Sequence, residues 1–574
     1  MHAAVLRHRA AALPFLAVAW VAGASGVTVP PWLAVTTVVV AVAITAPALR
    51  RRSLPAPAWW LAGLLAWAAA DAALRPVATF DAARSIAMGV TALLLGAAAA
   101  TPRGAAWGRM AVAAAGLLSA AWLLAERLVH SGRPEGPFLN PNLGATLALL
   151  AISLAPFLPI PTVLRVAAGG VAMTGLVASG SRGALLGACA VAIVWAVTGT
   201  SAAFRRLALA VVGAGAIGLA LRLSLDRDPL RFERLRIWGV AGRTAVAELP
   251  LGCGPGGYAD AALPHNFPLA GGFARYARLP DLAESDFLQV LATLGAPGIV
   301  LVVGLIVSIG RRLPRNDVRG WGVVVAIATT SLFSTQLVVP VVAWAAALAL
   351  AAVLPRGPRA LHQRSWPLLA CAGGAVVVAT AAVLVLPDWG VGEAPDRLVD
   401  RAAAMLRSPS ATDTSLADAE VLLLRACTER PRYGRAWREL GTVRIARARL
   451  RGERDLAAAA ARAFAQARTL NKVDAFATLG EGQALRLLGD ARGAEAAIGA
   501  ALTVEPNFVS AWFELAALQV ERGELGAARE ALDRLAAAQA KAQAASFVSE
   551  YERALAWADP RLIGQLRRAV GDLP

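Results

Sequence analysis

Leu279–Gly298 reads LPDLAESDFLQVLATLGAPG. Three acids, Asp281, Glu284 and Asp286, stand directly before a long and mostly apolar run. A helix needs roughly 20 apolar residues to cross a bilayer, and this run is long enough. Carboxylates at the edge of such a run are costly, so they mark either a helix cap or a place where charge is used. Asp281 and Glu284 have the D-x-x-E spacing of a capping-box variant. Glu284 alternatively faces a cleft, with Asp281 left as the cap.

The same apolar character extends through the chain to Leu386. Of 574 residues 57% are hydrophobic and 16% charged, and the mean hydropathy is +0.57. A soluble domain needs a polar surface that this composition cannot supply. Beyond Leu386 the chain is rich in Arg, Glu and Ala and reads as water-soluble. The expected fold is therefore all-α: a polytopic membrane helix bundle over 1–386, a linker over 387–414 and a soluble helical repeat domain over 415–574. Apolar runs near 10–28, 31–48, 57–74, 84–100, 106–126, 142–159, 163–180, 183–199, 205–223, 286–309, 319–336, 338–354 and 366–386 make about 12–13 candidate spans.

The net charge of +18 does not imply a nucleic-acid partner. Many arginines sit in short loops between apolar runs, where they set topology, and the rest mostly mix with acids in the C-terminal part. With the N-terminus in the cytoplasm, Arg7/Arg9, Arg50–Arg52, Arg103/Arg109, Arg205/Arg206, Arg311/Arg312/Arg315/Arg319 and Arg356/Arg359/Arg364 fall on one side. The opposite connections hold fewer arginines, mixed with acids, as the positive-inside rule requires. Thirteen spans then put the longest inter-helix segment, 224–285, and the C-terminal domain outside the cytoplasm. MHAAVLRHRA runs into an apolar stretch without a small-residue cleavage site and is expected to open a first span. Cys189, Cys253, Cys371 and Cys427 are far apart, show neither zinc spacing nor a disulfide framework, and read as small buried side chains.

The C-terminal part repeats itself. PRYGRAW at 431–437 is followed by RELG, and PNFVSAW at 506–512 by FELA, with NKVDAFATLG between them. The succession Trp437, Phe476, Trp512 is close to a 34-residue helix-pair period with small insertions. Over 415–540 this resembles tetratricopeptide repeats, whose stacked pairs often offer a concave face to a protein partner.

Further charged segments cluster on the outer side. In GPFLNPNLGATLALL, Asn140 is an expected helix N-cap with Pro141 in the first turn, and Asn142 follows. In ASGSRGALLGA, Arg182 stands alone at a tight connection, as a snorkelling anchor or an anion site. In RFERLRIWGVAGRTAVAELPLGCGPGGYADA, Arg231, Arg234, Arg236 and Arg243 give a basic amphipathic helix ended by Pro250. The glycines that follow, Gly254 and Gly256 among them, lack the Lys-Ser/Thr of a P-loop and follow no strand, so they read as a backbone turn.

Taken in order, these segments resemble the O-antigen ligase/polymerase family of membrane glycosyltransferases, which use polyprenyl-diphosphate-linked glycans. FLNPNLGATLAL resembles its G-N-P-N segment and SGSRGALLG its S-R-G segment. RLRIW followed by ELPLGCGPGGY resembles R-x-x-x-W followed by P-L-x-G-x-G-P-G-x-F/Y. ESDFLQVLATLGAPG resembles H-N/S-x-Y-L-Q-x-x-x-E-x-G-x-x-G, with Glu284 where many members carry histidine and Thr293, or a neighbour, where a second acid is common. The resemblance implies that Arg182 and Arg234, with Arg236 as a neighbour, grip the donor diphosphate, and that the long loop shapes the acceptor site. A carboxylate can act as the base that an inverting transfer to a hydroxyl needs, so Glu284 is the expected catalytic residue and His265, in LPHNFP, the alternative.

The function so implied is transfer of a glycan from a polyprenyl diphosphate carrier to a lipid A-core, glycan or protein acceptor, as ligase, polymerase or protein O-oligosaccharyltransferase. The implied location is a bacterial inner membrane, with the long loop and repeat domain periplasmic. No cofactor or metal is expected, since no H-E-x-x-H occurs and the acids do not cluster with histidines. The non-enzymatic alternative is a membrane scaffold presenting the repeats.

Overall fold

The computed structural model describes residues 56–74, 102–130, 133–199, 233–269, 271–355, 395–547 and 549–571, with isolated helical positions between 86 and 96 and between 202 and 216. The expected spans near 10–28, 31–48 and 366–386 lie outside the described residues. So do most of those near 84–100 and 205–223, and the arginines at 7, 9, 50–52, 231 and 356–364. All regular structure among the described residues is helical. The chain divides into two units: 1–256 with 282–391, and 257–281 with 392–574.

In the first unit, helices Ala56–Leu74, Pro102–Val129, Pro141–Leu154, Thr162–Ser179, Arg182–Thr198, Asp286–Arg312, Val318–Phe333 and Pro340–Val353 follow the apolar runs. Among the described residues three stretches, Gly108–Val129, Thr162–Ser179 and Asp286–Arg312, are long and apolar enough to cross a membrane. Pro141–Phe157, Arg182–Thr198, Val318–Phe333 and Val341–Val353 are apolar but shorter. The run expected over 142–159 stops at Leu154 and passes into a 3-10 turn, Ala155–Phe157, because Pro156, Pro159 and Pro161 cannot continue a helix. Helices approach closely where residues are small. A Cβ on Gly116 would lie 2.3 Å from the Leu147 carbonyl oxygen, and one on Gly175 would lie 2.4 Å from Ala120 Cα. Such backbone proximity is how helices associate where lipid offers no hydrophobic gradient between them.

The Asp286–Arg312 helix is broken at Gly295 (φ 62°, ψ −156°), with Pro297 just beyond. Pro297 has no N–H to give the Thr293 carbonyl, and Ala296 N donates to Pro250 O rather than to Ala292 O. The freed carbonyls are taken from outside the helix. Cys253 N reaches Ala292 O at 2.8 Å, Gly254 N reaches Thr293 O at 2.9 Å, and the Trp67 indole reaches Leu294 O at 3.0 Å. The glycine-rich turn after Pro250 is thus a strap laid on the break, satisfying backbone groups that apolar surroundings would otherwise leave unpaired. Gly254 and Gly256 serve it with φ of 87° and 79°.

In the second unit helices pack in consecutive pairs: Pro395–Arg407 with Asp413–Glu429, Gly434–Arg451 with Arg454–Leu470, Ala475–Leu488 with Ala491–Val504, and Val509–Glu521 with Leu525–Ala544. Pro560–Val570 packs on the last pair. Left-handed glycines end first helices at Gly452 and Gly489, and Asp474 and Asp490 cap the helices that follow them by accepting from Ala477 N and Gly493 N. The two tryptophans occupy matching places: Trp437 Nε1 donates to Pro431 O and Trp512 Nε1 to Pro506 O, each at 2.9 Å. Alanine dominates the interior, and its largest fully buried residues include Phe464 and Phe508.

Two boundaries differ from expectation. The stretch 387–414 is not simply a linker: DRLVDRAAAMLR forms the Pro395–Arg407 helix and buries Leu398, Val399, Ala402 and Ala403 in the first pair. Nor is 224–285 a single loop. Helix Glu233–Ala247 packs on Asp286–Arg312 in the first unit, whereas 257–281 belongs to the second.

Candidate functional site

The helices beginning at Pro141, Arg182 and Asp286 each have a polar residue at the N-cap position. Asn140 caps Pro141–Leu154, its side chain accepting from Asn142 N at 3.0 Å. Ser181 caps Arg182–Thr198 and accepts from Ala184 N. Ser285 occupies the N-cap position of Asp286–Arg312, but its hydroxyl donates to Ser331 O and its N–H donates to Thr335 Oγ1 at 3.0 Å. The D-x-x-E expectation is corrected here: the helix begins at Asp286, a turn too late for Asp281 and Glu284 to form its capping box.

The polar run TTSLFSTQ after 328 connects these starts. Gln336 Oε1 accepts from Thr146 Oγ1 at 2.6 Å, and Gln336 Nε2 donates to the hydroxyls of Thr330 and Ser331. Asp286 Oδ1 accepts from Leu337 N at 3.0 Å. A small cleft beside this frame is lined by Asn142, Thr146, Ser181, Gly183, Ala184, Arg234, Thr330, Phe333 and Ser334.

Arg234 comes to the cleft from helix Glu233–Ala247. One guanidinium nitrogen lies 4.0 Å from Glu284 Oε2, and another lies 3.8 Å from where a Cβ on Gly183 would be. Trp238, one turn on, donates its indole N–H to Glu284 O at 3.1 Å and sets its ring 5.8 Å from that of Phe333. Glu284 itself has φ 50°, a conformation that non-glycine residues adopt rarely and that marks functional positions more often than chance. The Arg234 and Glu284 side chains are 31% and 22% exposed, so their pair adds only about 0–1 kcal/mol to stability. It presents charge at the cleft more than it holds the fold.

Arg182 is the first residue of its helix and half-buried, and Arg236 is exposed. His265 ends the 3-10 turn Leu263–His265 of the second unit, whereas Glu284 belongs to the first. Sequence reasoning passed over Arg133, which donates to Asn142 Oδ1 and to Ser179 O, each at 3.2 Å. It also passed over the Thr330–Gln336 hydroxyl and amide groups, whose signal was a polar run interrupting apolar sequence. Among the described residues no His, Cys, Asp and Glu cluster could hold a metal ion.

Helix N-termini carry partial positive charge and free N–H groups, and guanidinium groups add full charge, so the cleft suits an anion such as a phosphate. A carboxylate at its edge can accept a proton. Set against protein-family models the chain matches none, and no curated protein matches it.

Proposed function

We propose that the chain is a membrane glycosyltransferase, similar to O-antigen ligases, that moves a preassembled glycan from a polyprenyl diphosphate to an acceptor hydroxyl outside the cytoplasm. One observation carries the reading: the family-like segments meet at one cleft. Asn142 from FLNPNLG, Ser181 and Gly183 from SGSRG and Arg234 from RLRIW line it, while Glu284 from ESDFLQ lies beside Arg234 and takes the Trp238 indole N–H on its backbone carbonyl.

In this reading Arg234 and Arg182, with the N-terminus of the Arg182–Thr198 helix, hold the donor diphosphate, and Arg236 adds charge nearby. Glu284 takes the proton of the acceptor hydroxyl as its oxygen attacks the anomeric carbon. The bond from that carbon to the phosphate oxygen breaks, and the diphosphate leaves with its charge neutralised by the arginines. Configuration at the anomeric carbon inverts. His265 is the alternative base. The acceptor is a hydroxyl of a lipid A-core sugar, of a second lipid-linked glycan or of a protein. The membrane domain is a bundle of about 12–13 spans in a bacterial inner membrane, with the tetratricopeptide-like unit periplasmic.

The test is a gel of surface glycans and glycoproteins from a deletion strain, complemented with wild type, Arg182→Ala or Glu284→Gln. Loss or shortening of a glycan that wild type restores and both variants fail to restore is the expected result. Full restoration by both variants would favour a scaffold that presents the repeats without chemistry.

A further inference from the structure

Segment 257–281 leaves the first unit at Gly256 and rejoins it at Leu282, yet it folds with the helical repeats. Buried charge holds it at two places. Near its start, Asp260 accepts from Arg430 Nε at 2.7 Å, the two side chains being 8% and 10% exposed. Near its end, the fully buried Glu505 carboxylate accepts the backbone N–H groups of Arg275 at 2.7 Å and Tyr276 at 2.8 Å, and also the Tyr551 hydroxyl. Between the two anchors Phe273 and Ala274 enter the repeat core, with the Phe547 ring 5.3 Å from that of Phe273. Asn507 Nδ2 donates to Phe273 O at 2.7 Å, and the Arg275 guanidinium donates to Thr503 O at 2.9 Å.

Arg430 and Glu505 stand at matching positions in the repeat. Each is the C-cap of the second helix of a pair and precedes a proline, in RPRYGRAW and EPNFVSAW. Tyr433 N donates to Arg430 O and Phe508 N to Glu505 O, closing the two turns alike. The repeat therefore offers one recognition side chain per turn, and the segment reaches two of them. Their charges are opposite, and each meets its complement, a carboxylate for the arginine and a pair of amides for the glutamate. An ionised group with no exposure is tolerated only when satisfied. Much of what satisfies Glu505 comes from segment 257–281, so this unit is built around that occupant.

The occupant also carries internal contacts that favour its docked shape. Leu269 N donates to Arg275 O at 2.6 Å, Asn266 Nδ2 donates to Arg278 O at 2.9 Å, and Gly271 turns the chain with φ 81°. A preformed ligand loses less entropy on binding. A short tether raises its effective concentration to about millimolar, against which an external peptide competes poorly.

We propose that this face of the helical repeats is a peptide-recognition surface reserved for the chain's own 257–281 segment. It braces the loop that rejoins the first unit just before Glu284, and it is not open to a separate protein partner. The claim does not depend on the reaction proposed above. Its test is hydrogen exchange by mass spectrometry on the full-length protein in detergent. In wild type the amides of Arg275 and Tyr276 are expected to be protected. In Glu505→Ala they should exchange at least ~100-fold faster, while Ala475–Leu488 and Val509–Glu521 keep their protection. Should Glu505→Ala unfold the repeats, Phe273→Ser decides from the segment's side, speeding exchange in 271–278 and 545–551 but not in Asp413–Glu429. Unprotected amides in wild type, protection that survives both variants, or displacement of the segment by a synthetic 268–279 peptide at micromolar concentration would overturn the proposal.

Discussion

At Gly295 the backbone takes φ 62° and ψ −156°, a region essentially restricted to glycine, and a Cβ there would lie 2.2 Å from the Pro250 carbonyl oxygen. Gly295→Ala is therefore expected to destabilise the protein by about 2–5 kcal/mol, combining backbone strain with overpacking. Gly242→Ala, in a helix with nothing within 4 Å of the added atom, should instead be neutral or stabilising by about 0.5–1 kcal/mol. Thermal unfolding of both variants in detergent checks the contrast. Glu505 makes a different kind of prediction. Burial pushes its carboxyl above the usual range against the pull of the Arg275 and Tyr276 amides, so the folded chain keeps this proton at a pH where the unfolded chain has lost it. Between the ordinary value of about 4.3 and the raised folded value, the folded state binds more protons and stability falls as pH rises. The stability of wild type relative to Glu505→Gln should therefore increase as pH is lowered through that window and level off below it. Urea titrations read by proteolysis within 395–571 measure this, and a gap that moves the other way would contradict the assignment.

Among the helices, one close contact in the second unit is Phe464 between Gly441 and Gly480. A Cβ on either glycine would come 2.7 Å or 2.4 Å from the ring. Gly480→Ala should cost about 1–3 kcal/mol by overpacking, and adding Phe464→Leu should recover part of that loss. Denaturation of the single and double variants tests whether the coupling is as local as the geometry implies. The helix start at Asn140-Pro141 and the helix-pair period were readable beforehand, because a cap and the Pro-x-x-x-x-x-Trp segments are chemical signals confined to a few neighbouring residues. The all-helical character was readable for the same reason, since periodicity and hydropathy are local, whereas of the about 12–13 expected spans three are long and apolar enough among the described residues. What was not readable depends on partners distant in sequence. Nothing in PLGCGPG announces that its amides serve carbonyls at 292 and 293, and nothing in TTSLFSTQ announces Thr146. Asp260 and Arg430 likewise pair across 257–281 and the repeats. The DRLVDRAAAMLR helix was passed over because its charges outweigh its apolar face until Asp413–Glu429 packs against that face.

Over the whole molecule, one unit carries apolar helices with a polar, arginine-bearing cleft, and the other carries helix pairs that hold a segment looping out of the first. The central claim is that Arg234 and Glu284 do chemistry at that cleft, and their 4.0 Å pairing allows a direct test. A purely structural ion pair is indifferent to which side carries which charge. A transferase is not, because the cation must meet the diphosphate and the carboxylate must meet the acceptor hydroxyl. The deciding measurement is glycan transfer from a polyprenyl-diphosphate-linked donor by the full-length protein in liposomes, comparing wild type, Glu284→Gln and the exchange of Arg234→Glu with Glu284→Arg. Wild type should transfer, Glu284→Gln should fall by about 10²–10⁴-fold, and the exchanged pair should stay inactive. Wild-type transfer by the exchanged pair, or equal transfer by all three proteins, would contradict the account.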